Sequence, residues 1–211
     1  MGTIKTDDAY EYIKNKILNL EIQPLSSISE SEIQKEMNIS RTPVRESLLR
    51  LEKDGFIYIY PRKGIIVSEV TRDLVDDIFE TRLLNEPYIN EKASHVLSSA
   101  RIQALMDSNL EIPSEDPEKK REYLMEYDKN LHLELLSCCG NRFLQRIMSN
   151  VYDHTQRIRR KGSHPDMGDD HTTQEHMDIL EAMKKRDPQL IRETSILHIQ
   201  NSKKLILNSL L

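Results

Sequence analysis

The fold of the N-terminal part of this chain is decided by Ser40-Arg41-Thr42-Pro43-Val44-Arg45-Glu46-Ser47-Leu48-Leu49-Arg50-Leu51. Ser40 is a good N-cap residue, and Pro43 falls in the first turn, where its missing N–H costs little. The apolar residues recur at helical spacing, at Val44, Leu48 and Leu51. This stretch therefore predicts a short amphipathic helix that begins after Ser40.

A second helix precedes it, from Ser29 to Met37, with Ser29 and Glu32 as a capping box. Asn38-Ile39 between the two helices forms a tight turn. The later helix leaves two arginines and a hydroxyl group outside its apolar stripe, at Arg41, Thr42 and Arg45. A helix-turn-helix motif places side chains at the start of its second helix in the major groove of DNA.

Two β-prone runs follow, Phe56–Tyr60 and Ile65–Val70, joined by Pro61-Arg62-Lys63-Gly64. They predict a β-hairpin with a basic tip, and such a tip can reach phosphates or the minor groove. A first amphipathic helix is indicated upstream by Ile13, Ile17 and Leu20. Residues 1–70 are therefore expected to form a winged helix of three helices plus a hairpin, which makes a DNA-binding domain.

The charge of the chain gives this DNA-binding prediction little general support. The net charge is −5, and residues 1–70 contain 10 Lys and Arg against 11 Asp and Glu. Contact with double-stranded DNA must therefore depend on the local placement of a few cations, Arg41, Arg45, Arg50, Arg62 and Lys63. Non-specific affinity should be modest at physiological salt, and a homodimer would double the footprint.

The composition favours a cytoplasmic protein without a membrane partner. No apolar run approaches the roughly 20 residues that span a bilayer, and Met1-Gly2-Thr3 begins no signal peptide. The two cysteines, Cys138 and Cys139, are adjacent, which suits neither a disulfide framework nor a C-x₂-C zinc site.

Residues 71–211 show almost no strand signal and predict an all-α antiparallel helical bundle, with loops at 112–115 and 166–170. In its first helix Arg82 and Glu86 fall in the middle of the apolar stripe. A buried charge must be paired or bind something. Two interpretations stay open, an internal ion pair four residues apart and an arginine whose planar fork receives a ligand carboxylate.

Four metal-ligating side chains are predicted to share the interior of this bundle. Asp128 lies among leucines of a helix that opens at Asp116-Pro117, with His132 one turn on. Asp187-Pro188 separates the last two helices, and His176 and His198 lie eleven residues before and after Asp187. At 1.5 Å per residue both histidines are about 16 Å from the turn, on inward faces.

A lone histidine in a core is more often a packing residue than a ligand, but these four residues together favour a divalent transition metal. Three imidazoles and a carboxylate suit Zn²⁺ best, with Ni²⁺, Co²⁺ or Mn²⁺ as alternatives, and leave room for water or a substrate oxygen.

Residues 7–70 resemble the DNA-binding domain of the GntR family of bacterial regulators, through Ser-Arg-Thr-Pro-Val-Arg-Glu-Ser-Leu and the Arg-Leu-Glu-Lys-Asp-Gly behind it. The resemblance implies that Arg41, Thr42 and Arg45 contact DNA and that residues 62–64, Arg62, Lys63 and Gly64, form the wing tip. The chain departs from the family pattern at Glu21, Leu25 and Ser31, which makes the operator sequence less transferable.

Residues 72–208 resemble the all-helical, FCD-type ligand-binding domain of the FadR branch of these regulators. The matching positions are Asp128-x₃-His132, the Glu175-His176 pair, His198, and Arg82 with Glu86 behind it. The resemblance implies that a metal and an arginine together hold a small organic acid.

The expected function is a homodimeric, ligand-responsive transcription factor that binds an inverted-repeat operator, with repression relieved by the ligand. Two alternatives stay open. A His₃Asp metal site could activate water for hydrolysis, although no general base is placed by the sequence and an enzyme is not expected. The metal could also be purely structural, in a repressor without an effector.

Overall fold

A computed structural model of the chain describes residues 2–110, 116–162 and 170–210. The predicted loop at 112–115 and residues 166–169 of the predicted loop at 166–170 lie outside the described residues, whereas Asp170 begins a helix. The chain divides into two compact units, residues 1–71 and 72–211. The described elements are α1 Gly2–Leu18, β1 Ser27–Ile28, α2 Glu30–Met37, α3 Arg41–Lys53, β2 Ile57–Tyr60, β3 Gly64–Val67, α4 Arg72–Val96, α5 Ser99–Leu110, α6 Pro117–Ser137, α7 Arg142–Lys161, α8 Asp170–Lys185 and α9 Pro188–Leu210.

The first unit is a winged helix, as predicted. Its helices α1 to α3 enclose one apolar core with an antiparallel sheet of strand order β1-β3-β2. The predicted stripe of α3 is the centre of this core, with Val44, Leu48 and Leu51 at most 1% exposed. Strand β1 was not predicted, because a two-residue strand that pairs Ser27 with Ile66 has no sequence period of its own.

The turn between α2 and α3 has the predicted chemistry. The Ser29 hydroxyl accepts a hydrogen bond from the Glu32 amide at 3.3 Å, and Asn38 adopts a left-handed conformation with φ 51°. Ser40 occupies the N-cap position of α3, but its side chain makes no capping hydrogen bond. The prediction for Leu20 was wrong, since α1 ends at Leu18 and Leu20 follows in a turn with φ 59°.

The hairpin is tight and shorter than predicted, because β3 ends at Val67. The Lys63 amide donates to the Tyr60 carbonyl at 3.0 Å and closes the turn. Arg62 and Gly64 both have positive φ, 65° and 112°. A Cβ added at Gly64 would meet no atom within 4 Å, so the backbone angle, and not lack of space, favours glycine there.

The second unit consists of helices α4 to α9 in its described part. The side chain of Asp116 accepts from the Glu118 and Lys119 amides and caps α6, and Asp187 accepts from the Gln189 and Leu190 amides and caps α9. Helices α8 and α9 form the predicted hairpin, and α4 packs along α9. Within the described residues, no helix combines the length and hydropathy that crossing a membrane requires.

Candidate metal centre and DNA-binding surface

The first turn of α3 presents the predicted DNA-contacting side chains to solvent. Arg41 and Arg45 are 68 and 61% exposed, and Thr42 between them is also exposed. Both arginines lie against one carboxylate, that of Glu30 at the start of α2. The distances are 3.2 Å from Arg41 Nε to Glu30 Oε2 and 3.8 Å from Arg45 Nε to Glu30 Oε1.

Arg50 does not join this group. It lies nine residues after Arg41, where its guanidinium stacks 3.8 Å from the centre of the Tyr10 ring and its Nη1 lies 3.0 Å from Asp7 Oδ1. These contacts join α3 to α1, which favours a structural role for Arg50 over the predicted contact with DNA. Arg62, Lys63 and Gly64 lie together at the exposed tip of the hairpin, as the sequence predicts.

Inside the second unit, three helices bring the four predicted metal ligands together. Asp128 and His132 come from α6, His176 from α8 and His198 from α9, and each is at most 4% exposed. One ligating atom from each lies within 4.8 Å of the others. The ring centres of His176 and His198 are 4.7 Å apart. Their equal spacing on either side of Asp187 predicts that they lie at the same height in the hairpin, and this distance agrees with that.

The Asp128 carboxylate is shared between a cation and the histidines. Its Oδ2 pairs with Arg159 Nη1 of α7 at 2.5 Å. Its Oδ1 lies 3.3 Å from His176 Nε2 and 3.7 Å from His132 Nε2. Arg159 therefore holds one oxygen and turns the other towards the imidazoles.

Glu175 holds His198 in a similar way. Its Oε2 lies 3.0 Å from His198 Nδ1, and its Oε1 accepts a hydrogen bond from Asn201 at 2.7 Å. This carboxylate fixes the ring orientation and leaves His198 Nε2 facing the cluster. A carboxylate behind the distal nitrogen is the usual support of a metal-binding histidine.

Burial keeps His132 and His198 uncharged at neutral pH. It lowers the pKa of His132 to about 3 and the pKa of His198 to about 4, with further lowering from nearby Arg82. Burial alone would raise the pKa of the Asp128 carboxyl, but Arg159 and the histidines outweigh it and hold that pKa well below the ordinary value. At neutral pH the cluster thus offers imidazole lone pairs and one carboxylate.

Several of these buried atoms have no hydrogen-bond partner among the described residues. They are Asp128 Oδ1, both ring nitrogens of His132, His176 Nε2 and His198 Nε2. An unsatisfied buried polar atom costs about 1–3 kcal/mol. One cation bound between the residues would satisfy an atom of each, so this donor set fits the predicted divalent metal.

Arg82 and Glu86 are 1% exposed and face the same interior from α4. Arg82 Nε and Nη2 pair with the two carboxylate oxygens of Glu86, at 2.5 and 3.3 Å, which is the internal ion pair that the sequence left open. Glu86 Oε2 also lies 3.6 Å from His132 Nδ1. The pair therefore borders the cluster, and its guanidinium fork already holds a carboxylate.

Two groups at this site were not predicted. Arg159 lies four residues after Thr155 on the buried face of α7, and this helical spacing could have predicted that Arg159 is buried. The basic run at residues 159–161, however, resembles an exposed helix end. The Tyr152 ring lies 5.4 Å from the His132 ring. An aromatic residue on an apolar stripe carries no sequence signal that separates it from the rest of the core.

Comparisons with known proteins agree with both units. Residues 5–67 match the family model of bacterial regulatory proteins of the gntR family, and residues 77–201 match that of the FCD domain. A Streptomyces ambofaciens protein described as an uncharacterised HTH-type transcriptional regulator is 27% identical, over 94% of this chain and 84% of the relative. The HTH-type transcriptional repressor RspR of Escherichia coli K12 is 26% identical, over 90% of this chain and 84% of RspR.

Solved structures show the same fold. Escherichia coli McbR/YncC superposes with a TM-score of 0.78 at 16% identity and covers 98% of this chain and 99% of its own. A GntR regulator of Rhodococcus sp. RHA1 gives 0.76 at 15% identity, over 96 and 97% of the two chains. This chain belongs to the gntR family of bacterial regulatory proteins and is a transcriptional regulator that joins a helix-turn-helix DNA-binding domain to an FCD domain.

Proposed function

We propose that the protein is a homodimeric repressor of the FadR branch that releases an inverted-repeat operator when a small carboxylate enters a metal-containing FCD domain. The observation that carries the proposal is the buried cluster of Asp128, His132, His176 and His198. Its ligand atoms lie within 4.8 Å of one another, several have no hydrogen-bond partner among the described residues, and Arg159 and Glu175 support the cluster from behind. Zn²⁺ is the preferred occupant, with Ni²⁺, Co²⁺ or Mn²⁺ as alternatives.

A metal bound by three neutral histidines and one carboxylate carries net positive charge and, with fewer than six ligands, has room for a further oxygen ligand. An organic acid is the complementary small molecule. Arg82 and Glu86 are the proposed effector contacts beside the metal. An incoming carboxylate can share the Arg82 guanidinium with Glu86, because that group has five N–H donors and Glu86 accepts from two of its nitrogens. The buried guanidinium is then never left unpaired, a state that would cost several kcal/mol.

On the DNA side, Arg41, Thr42 and Arg45 enter the major groove, and Arg62, Lys63 and Gly64 contact the backbone or the minor groove. A two-fold dimer presents two such surfaces and therefore reads a palindromic site. Coupling between effector and operator of about 1–3 kcal/mol, which is usual for allosteric proteins, would change operator affinity roughly 5- to 150-fold.

Metal analysis of the purified protein, prepared without chelator or histidine tag, tests the proposal. We expect about one tightly held transition-metal ion per chain, and loss of that ion in a His176→Ala/His198→Ala variant. His95→Ala is the matched control, because His95 is an exposed histidine of the same unit. Glu175→Gln should retain the site but weaken metal affinity about 10- to 100-fold, as loss of a carboxylate behind a ligand does.

Failure to bind added Zn²⁺, Ni²⁺, Co²⁺ or Mn²⁺ in the parent protein would show that the histidines are packing residues and would overturn the metal site. If metal binds, thermal shift with a panel of small carboxylates separates a sensor from a structural site. A sensor is stabilised by at least one carboxylate only in the metal-loaded form, whereas a structural site shows no such dependence.

A further inference from the structure

Two pairs of large apolar side chains on the second unit face solvent. Leu84 and Tyr88 of α4 are 74 and 47% exposed, and Phe143 and Ile147 of α7 are 81 and 54% exposed. The members of each pair are four residues apart and therefore adjoin on one helix face. Because α4 also packs against α7, the pairs occupy neighbouring helices. Exposed apolar residues grouped in this way mark interaction surfaces.

The charges beside these pairs have opposite signs. Asp77 and Glu80 continue the exposed stripe of Leu84 and Tyr88 one and two turns towards the start of α4, and we call this the acidic stripe. On the first two turns of α7, exposed Arg142 and Arg146 accompany the apolar pair, and we call this the basic stripe. The ion pairs found in the described part of the chain include none of these four charged side chains.

We propose that the acidic stripe of one copy packs on the basic stripe of a second copy and forms the homodimer interface. In a two-fold dimer each contact between different residues occurs twice. If a residue of the α4 stripe in one copy contacts a residue of the α7 stripe in the other, the symmetry-related pair makes the same contact. The acidic stripe meets the basic stripe at both places. The apolar pairs are then covered and the four charged side chains gain partners of opposite sign.

A second copy fits this surface better than a different protein does. The chain itself carries both the acidic stripe and the basic stripe, so one symmetric contact between two copies uses both. A different protein with an acidic or a basic surface would match only one stripe. A stable interface buries about 800 Å² on each partner. Each copy contributes two exposed stripes towards that area, one between Asp77 and Tyr88 on α4 and one between Arg142 and Ile147 on α7.

Sedimentation of the full-length chain tests the apolar part of the interface, which depends on the proposed homodimer. Leu84→Asp and Phe143→Asp should each raise the dimer dissociation constant about 30-fold or more, the usual cost of losing a central interface anchor. Leu197→Asp is the control, because Leu197 is 52% exposed on α9, outside both stripes, and should leave the dimer intact. All three side chains are exposed, so far-ultraviolet circular dichroism should show unchanged helix content.

Charge reversal tests the pairing of the stripes. Asp77→Lys/Glu80→Lys and Arg142→Glu/Arg146→Glu should each weaken the dimer, and the variant with all four changes should regain it, since the stripes are then complementary again. Suppose that the parent is a dimer but neither double variant weakens it, or that the combined variant does not regain dimer affinity. Either result would overturn the proposed interface without contradicting the homodimer. A monomeric parent would overturn the homodimer itself.

Discussion

At the scale of single residues, Glu30 sets the local charge of the DNA-binding surface. Its carboxylate lies within ion-pair distance of Arg41 and Arg45, so both arginines are partly neutralised before DNA arrives. Phosphate must displace this carboxylate or share the arginines with it. Because residues 1–70 have almost no net charge, a single carboxylate at this position has an appreciable effect on the affinity for DNA.

Replacement of Arg45 by alanine should weaken binding to an operator selected from random DNA by about 1–3 kcal/mol, since a base- or phosphate-contacting arginine is lost. Fluorescence anisotropy with that duplex measures the effect. Arg50→Ala is the companion variant. It should lower the melting temperature, because its contacts with Tyr10 and Asp7 are lost, and it should weaken operator binding less than Arg45→Ala does. Unchanged operator affinity for Arg45→Ala would remove that residue from the interface.

Glu30→Gln should have the opposite effect and raise affinity for a random-sequence duplex several-fold, because Arg41 and Arg45 lose a competing anion. Glu32→Gln is the control. Glu32 shares the first turn of α2 with Glu30, is exposed, and within the described structure makes no ion pair with an arginine. Equal effects of the two substitutions would show that only the total charge of the domain matters.

At the scale of secondary-structure elements, the α8–α9 hairpin places two of the metal ligands. The turn at Asp187 sets the register of the helices, and equal spacing on either side brings His176 and His198 to one level. The Asp187 carboxylate stabilises the start of α9 by accepting from two free amides. The ligand geometry is therefore a consequence of the position of one helix cap.

Asp187→Ala should lower the free energy of unfolding by about 1 kcal/mol, the usual cost of losing an N-cap. In a chain of this size that corresponds to a melting temperature lower by about 2–4 °C. Asp178 of α8 is exposed, and its carboxylate accepts only from Gln174 within the described residues. Asp178→Ala should therefore stay within about 0.5 kcal/mol of the parent. If both variants melt alike, the cap contributes nothing measurable.

At the scale of the whole molecule, the two units have cores of different kinds. The first unit is held by a conventional apolar core. The second contains buried charges and histidines beside its apolar residues, with Arg82, Glu86, Asp128, His132 and Arg159 all at most 5% exposed. Each buried ion in that interior must be compensated. A metal would therefore stabilise the second unit and leave the first unchanged.

Addition of Zn²⁺ at 100 times its dissociation constant should stabilise the folded second unit by about 2.7 kcal/mol. Calorimetry of the full chain should show the transition of that unit moving up by roughly 5–10 °C, while the transition of the winged helix stays in place. The His176→Ala/His198→Ala variant should show no shift. A shift of both transitions by the same amount would indicate that the two units unfold together.

Much of this organisation follows from local sequence patterns. The stripe of Val44, Leu48 and Leu51 and the caps at Ser29, Asp116 and Asp187 predict where the corresponding helices begin and which face is buried. Such features depend on residues within a few positions of one another, so they are readable without the fold. The end of α1 was misplaced at Leu20, because an apolar residue just beyond a helix resembles its last turn.

The sequence by itself therefore determined the two-unit division, the helix-turn-helix and the register that brings His176 level with His198. Only the tertiary structure decided that Arg159 holds Asp128, that Glu175 orients His198, that the Arg82 fork is filled by Glu86 and that Arg50 faces Tyr10. The physical reason is that helical period and capping are local, whereas the partner of a buried charge is chosen by the packing of helices that are distant in sequence.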